Sequence, residues 1–416
     1  MKLYAFPEKK GWKIFLFLFL FGLLQLSRDT LVAQNIVGVI PSQFLTAVLA
    51  VIAGVIFLLV NRKQFREILK DPRMAVALAA AVFILVPMLV KRDFQLMYLS
   101  FLFYVLVSLF LSFFLTPETL SKYYLLILTP LAAYSVIAAY GLRILPDRGI
   151  LQFPVFVNPT GVEFYQMGLA QVPLTFVKNR NFGIFREPGV YQFFLILGLY
   201  LNNETVNWEK SWQTWTVNVI LGITMLTTFA TGGIIEMGLL AVYLFFEKKW
   251  YRSSWGKIGA AALILAVGGA AAWILITKNS LYADLTYMFA KFRDPENGVI
   301  RFAAIAKDIE IFFHHPLVGD TMEKVFGVVV SNSTSTMVLF ATLGILGGCF
   351  HTAGWVALVW DRKRSIFGNL LLLLILFMSF NTQNLSWNTV FWMLPTVALV
   401  HRGLPLILGR TDPKEA

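Results

Sequence analysis

Asn179-Arg180-Asn181-Phe182-Gly183-Ile184-Phe185-Arg186-Glu187-Pro188-Gly189-Val190-Tyr191-Gln192 runs directly into the apolar segment 193–201. Two arginines, a glutamate, two glycines and a proline thus stand at the head of an apolar run. The chain around them is 58% hydrophobic and only 14% charged. Pro188 and Gly189 fit the first turn of a helix, where backbone N–H groups lack intrahelical partners. Such a helix start favours anions. Arg180 and Arg186 add fork-shaped donors that match phosphate oxygens. Gly183 would let the backbone approach a bulky ligand closely. The stretch reads as the anion-binding half of a site at a membrane edge. The same residues also suit a basic anchor on lipid headgroups, with Glu187 pairing an arginine.

Working outward, the mean hydropathy of +0.70 and repeated apolar runs describe a polytopic membrane protein. Runs approaching the length of a bilayer crossing cover 14–33, 43–60, 74–90, 94–115, 123–141, 189–202, 212–230, 233–246, 258–277, 336–360, 366–380 and 389–402. The pattern predicts an all-α integral membrane protein of about twelve transmembrane helices, forming a single domain over 1–416. Basic residues punctuate the loops 61–73, 247–257 and 361–365, which places those loops and both termini in the cytoplasm. The first apolar run follows several lysines, as in a signal peptide, but reads as an uncleaved helix. The two longest loops, about 142–188 and 278–335, then face outward. Both are expected to carry short amphipathic helices.

The net charge of +12 does not point to nucleic acid, because many cations flank apolar runs. They face lipid headgroups instead. One cysteine, Cys349, excludes an intrachain disulfide and a cysteine metal cluster.

In the second long loop, Phe302, Ile305, Ile309, Phe312 and Phe313 recur at helical spacing beside Lys307 and Glu310. This predicts an amphipathic helix on the outer membrane boundary, with Arg301 at its edge able to reach a ligand. Arg293, earlier in the same loop, is a further cation assigned to substrate binding. His314 and His315 follow. Adjacent histidines cannot both face one ion, so no metal site is expected. His315 is a candidate general base, and the pair equally suits a helix end. Asn332, within Ser331-Asn332-Ser333-Thr334-Ser335-Thr336, reads either as part of a helix cap or as a contact to sugar hydroxyls. Thr231-Gly232-Gly233 makes a tight outward turn. Glu236, one turn further in, is either a functional intramembrane acid or an interfacial one. Arg28-Asp29, ending the first run, reads as an interfacial ion pair.

Taken together, Arg180-x-x-Gly183-x-Phe185-x-Glu187-Pro188 before an apolar run resembles the signature of bacterial O-antigen and capsular polysaccharide polymerases, which are related to the O-antigen ligases. Thr231-Gly232, Arg301, His315-Pro316-Leu317-Val318-Gly319, Asn332 and Gly344-Ile345-Leu346-Gly347 follow the looser remainder of that pattern. The resemblance covers roughly 175–350. It implies a metal-independent glycosyltransferase without cofactor, on the outer face of the bacterial inner membrane. Donor and acceptor would be oligosaccharides on undecaprenyl pyrophosphate, with a chain-length regulator or export complex as a further partner. It assigns Arg180 and Arg301 to the leaving pyrophosphate, Glu187 or His315 to activation of the acceptor hydroxyl, and Gly183, Arg186, Arg293, Asn332 and Thr231 to substrate binding. Ligases of the family carry a histidine just before the asparagine, where this chain has Ser331. The expectation is therefore a polymerase, with a ligase as the near alternative. A lipid-linked oligosaccharide transporter is the alternative of another class, but it should show internal repeats and midplane charges.

Overall fold

A computed structural model of the chain describes residue 3, residues 10–33, 42–60, 62, 65–157, 161–174, 179–278, 281–282, 286, 295–327 and 334–408. It is mostly helical. The principal helices are α1 Lys10–Gln25, α2 Ser42–Val60, α3 Pro72–Lys91, α4 Leu96–Ser112, α5 Pro117–Val136, α6 Pro188–Glu204 and α7 Ser211–Thr227. They continue with α8 Thr231–Glu247, α9 Ser254–Thr277, α10 Pro295–His314, α11 Met322–Gly327, α12 Thr336–Val359, α13 Ile366–Phe380 and α14 Thr389–Ala398. Every apolar run named from the sequence carries a helix. Among the described residues, four helical stretches, Pro72–Lys91, Pro117–Asp147, Thr336–Val359 and Thr389–Ile407, are long and apolar enough to cross a membrane.

The sequence and the structure part company in two places. The first long loop is not helical throughout. It holds a three-stranded antiparallel sheet of β1 Val155–Val157, β2 Glu163–Met167 and β3 Ala170–Pro173, beside a single helical turn at Ile144–Asp147. β3 is buried on both faces, and Phe164 and Met167 of β2 are buried beside it, so the sheet carries little of the alternation that marks a half-buried strand. Gly168 takes a left-handed φ of 57° at the hairpin turn, where Tyr134 hydroxyl reaches the Met167 carbonyl at 2.9 Å. The first apolar run, read as 14–33, is interrupted after Gln25 and is helical again at 31–33. In the interruption Thr30 pairs with Phe185 in an antiparallel bridge, and Leu31 N–H donates to the Ile184 carbonyl at 2.6 Å.

α6, the continuation of the opening stretch, is buried on nearly all sides. It packs against α5, α7, α8 and α13. Tyr124 on α5 donates to the Phe194 carbonyl at 2.8 Å, and Tyr200 on α6 donates to the Leu358 carbonyl at 3.0 Å. The loops sort to two ends. At one end Glu204 takes Lys248 at 3.1 Å and also Arg364, and Arg364 reaches the Val359 carbonyl at 2.8 Å. Arg402 joins the same end through Glu118 at 2.7 Å and the Leu358 carbonyl at 2.8 Å. Arg73 meets the Ser112 carbonyl at 2.8 Å, which His401 also approaches at 2.8 Å. The three basic loops thus supply cations to one end. The opposite end gathers the turn after α1, the opening stretch and the turn between α13 and α14.

At that opposite end α12 is broken. Gly344 lies within it at φ 68°, ψ −166°, outside helical values. The segment after α10 fills the break. Asp320 N–H donates to the Ala341 carbonyl at 2.7 Å, and Ile345 N–H donates to the Pro316 carbonyl at 2.8 Å. Lys91 Nζ reaches the carbonyls of Asp320 at 2.8 Å and Thr342 at 2.6 Å. A Cβ on Gly344 would collide with the Leu317 carbonyl, and one on Gly319 with the Ala341 carbonyl. We expect Gly344→Ala to lower stability by roughly 2 kcal/mol or more, since strain and overpacking add. Gly238→Ala, which faces open space, should be neutral or mildly stabilising. Thermal melting in detergent compares the two, and equal melting temperatures would contradict the interlock.

Candidate functional site

The opening stretch is fixed by its own side chains. Asn181 Oδ1 accepts the Gly183 N–H at 2.9 Å, and its amide donates to Ser135 Oγ at 2.9 Å. Gly183 has φ 56°, and a Cβ there would come within 2.7 Å of Tyr191 Cζ. The glycine is required by the turn and by Tyr191. Arg180 is buried at 8% exposure, with Nε donating to the Thr228 carbonyl and Nη2 to the Phe229 carbonyl, each at 3.0 Å. Those carbonyls lie at the C-terminal end of α7, so this guanidinium closes a helix end.

Arg186 and Glu187 face other partners. Arg186 N–H donates to the Asp29 carbonyl at 2.8 Å, and its Nε lies 2.9 Å from Asp29 Oδ1. The Nε–H is not aimed at that oxygen, so the approach is ionic more than a directed hydrogen bond. Asp29 is buried, and Arg186 is about one-third exposed. Glu187 precedes Pro188 in an extended conformation without capping α6, and its Oε1 lies 3.9 Å from Arg186 Nε. The expected Arg28–Asp29 pair is therefore replaced by Arg186–Asp29. Arg28 instead lies exposed and flat over Trp387, 3.4 Å from the ring centroid.

Trp387 belongs to the polar turn 381–388 that joins α13 to α14. Asn381 Oδ1 accepts the N–H groups of Ser335 and Thr336, each at 3.1 Å, and so caps α12. Ser335 Oγ donates to the Gln383 carbonyl at 2.6 Å. Gln192, one turn into α6, donates to Thr382 Oγ1 at 2.9 Å and accepts the Gly233 N–H at 2.8 Å. Thr231 is the first residue of α8, and Gly233 sits against the Gln192 side chain. Glu236 is fully buried on α8, with neither carboxylate oxygen hydrogen-bonded among the described residues.

The second long loop approaches the same end. α10 buries Ala304, Asp308 and Ile311, and packs against α12. The expected apolar stripe is split: Phe312 packs edge-on to Phe340 of α12 at 5.5 Å, whereas Ile309 is 38% and Phe313 73% exposed. Exposed apolar side chains of this kind on a surface helix suit a lipid boundary. Arg301 lies within α10 at the register of Ala304 and Asp308, its side chain outside the described part of the molecule. Arg293 and Asn332 lie outside the described residues. The two histidines divide their work. His314 Nδ1 lies 2.8 Å from the Glu310 carbonyl, a helix-end contact, whereas His315 Nε2 lies 3.4 Å from Asp320 Oδ2. A carboxylate behind an exposed imidazole orients it for proton transfer. Phe326 of α11 packs edge-on to Trp387 at 5.5 Å and ties this loop to the 381–388 turn.

The structure thus brings Arg186 and Glu187 to one end with Thr231 and His315, and ties Arg180 to the end of α7 and Gly183 to the turn before Tyr191. Gln192 and the 381–388 turn are additions that sequence reading does not single out, and Arg28 joins them in a place other than the ion pair expected of it. A polar run between two apolar ones was the only signal for that turn. The described residues contain no group of His, Cys, Asp and Glu able to hold a metal ion. No protein-family model, curated protein or solved structure matches the chain.

Arg180→Ala should destabilise by about 1–3 kcal/mol, because two helix-end carbonyls lose their donor. Unchanged thermal melting would contradict the capping role. Asp320 gives a pH test. Burial raises its carboxyl, but the Thr321 N–H, Lys324 and His315 outweigh burial and hold it below the ordinary 3.8. A depressed carboxyl stabilises the fold above its unfolded pKa and loses that effect as pH falls through the folded value. The melting difference between wild type and Asp320→Asn should shrink as pH falls below 3.8. A difference that grows on acidification would contradict it.

Proposed function

We propose that the protein is a polysaccharide polymerase of the bacterial inner membrane, acting on its outer face. The reading rests on the sequence resemblance and on one structural observation. That observation is the gathering of Arg186, Glu187 and the His315–Asp320 pair at a single end of an apolar helical bundle. In this proposal the end that carries Lys248, Arg364 and Arg402 faces the cytoplasm, following the positive-inside pattern. The twelve apolar helices cross the bilayer, and α10 lies on its outer boundary.

The donor is a glycan on undecaprenyl pyrophosphate, and the acceptor is a hydroxyl of an incoming lipid-linked repeat unit. The acceptor oxygen attacks the anomeric carbon, the bond from that carbon to the diphosphate breaks, and the diphosphate leaves with its electron pair. Arg186 stabilises the charge that builds on it, an effect strongest where the cation is held in place beforehand. The proton of the acceptor passes to Glu187 or His315. Neither a metal nor a cofactor is required by these steps.

The test uses the full chain in nanodiscs with synthetic lipid-linked repeat units, resolving products by length. Wild type should build a ladder of products that persists in chelator. Arg186→Ala should slow it by about 10²-fold or more. Transbilayer movement without bond formation, or a ladder unchanged by Arg186→Ala, would contradict the proposal.

A further inference from the structure

We propose that Arg28, stacked on Trp387, is a phosphate-binding residue: it and Arg186 together hold the two phosphates of a lipid diphosphate. The inference rests on the polymerase reading for the lipid's role but not for the presence of a diphosphate site. A guanidinium lying 3.4 Å above an indole ring is held in one plane, with its N–H edge available to a planar pair of oxygens. Among the described residues, Arg28 donates no hydrogen bond and lies within salt-bridge distance of no carboxylate. The other charges of the cluster are differently placed. Asp29 and Glu187 both flank Arg186, at 2.9 and 3.9 Å. Arg28 is near enough to feel both Asp29 and Arg186, so the two arginines and one buried carboxylate form a single charge cluster.

The platform beneath Arg28 is built and not incidental. Tyr104 hydroxyl donates to the Trp387 carbonyl at 2.9 Å, and Phe326 packs on the ring edge at 5.5 Å. Ser27 Oγ lies 3.5 Å from Asn388 Oδ1, which joins the two turns. Two further donors of the 381–388 turn, Trp387 Nε1 and Asn388 Nδ2, are buried without a partner among the described residues. Unpartnered buried donors are rare and call for an acceptor. The proposed site draws on three segments distant in sequence: the turn after α1, the head of α6 and the turn before α14.

The experiment measures binding of farnesyl diphosphate to the full chain in neutral nanodiscs. Arg28→Gln should weaken binding at least tenfold. Arg28→Lys should recover only part of it, because the charge returns without the planar fork. Size-exclusion profiles and melting temperatures accompany each variant, and Trp387→Phe, which keeps a ring under Arg28, serves as a second probe expected to bind less tightly. Two competitors separate the sources of the phosphate chemistry: inorganic pyrophosphate should compete, whereas phosphatidylglycerol in the nanodisc should not. Binding by folded Arg28→Gln within twofold of wild type would overturn the assignment. So would displacement by phosphatidylglycerol alone, which would make the site a headgroup anchor. Arg28-dependent binding in a protein that builds no glycan ladder would leave this site standing and remove the polymerase reading.

Discussion

Inside an apolar bundle, a helix that ends or breaks leaves carbonyls and N–H groups that no water reaches, and each needs a partner from the chain itself. Much of this protein's polar complement meets that demand. Arg180 closes α7, and Arg73 reaches the carbonyl of Ser112 at the end of α4. Asn381 takes the first N–H groups of α12, and Lys91 takes a carbonyl freed at the break in that same helix. The break at Gly344 is tolerated because the 315–320 segment fits into it, its Asp320 N–H donating to the Ala341 carbonyl and its Pro316 carbonyl accepting the Ile345 N–H. Remove that fit and a carbonyl on one side and an N–H on the other would lose their partners.

The constraint also separates structural from functional cations. A guanidinium whose donors end on main-chain carbonyls belongs to the scaffold. Arg186 and Arg28 do something else. Arg186 sits between two carboxylates at the head of the buried α6, and Arg28 lies on an aromatic ring. Both lie where the turn after α1 meets the opening stretch, at the end away from the basic loops. In the proposed site these two cations are the ones kept for a ligand.

Much of this could be read from the residues, and the rest could not for identifiable reasons. Apolar runs mark helices well because the signal is long and continuous, and each one here carries a helix. The end of α1 was missed because its apolar composition continues past Gln25, while the pairing of Thr30 with Phe185 in the interruption is a contact between remote segments. The sheet in the first long loop is short, and it carries little of a strand's alternation. Among site residues, Arg186 and Glu187 were visible as a charge cluster before an apolar run. Gly183 reads from the sequence as a place of close approach, and the structure adds a left-handed backbone packed against Tyr191. Arg28 was assigned to Asp29 because they are adjacent, and only the fold shows that Asp29 turns to Arg186. The 381–388 turn carries no spacing that sets it apart from any polar loop.

The central claim is that the end of the bundle formed by the 28–29 turn, the head of α6 and the 381–388 turn holds a lipid diphosphate. A cryo-EM map of the protein in nanodiscs, saturated with a non-hydrolysable lipid-diphosphate sugar, tests it most directly. The account predicts diphosphate density within hydrogen-bonding distance of Arg186 and Arg28, with the lipid running along the bundle from that end. Density at the opposite end, against Arg364 and Lys248, would contradict it.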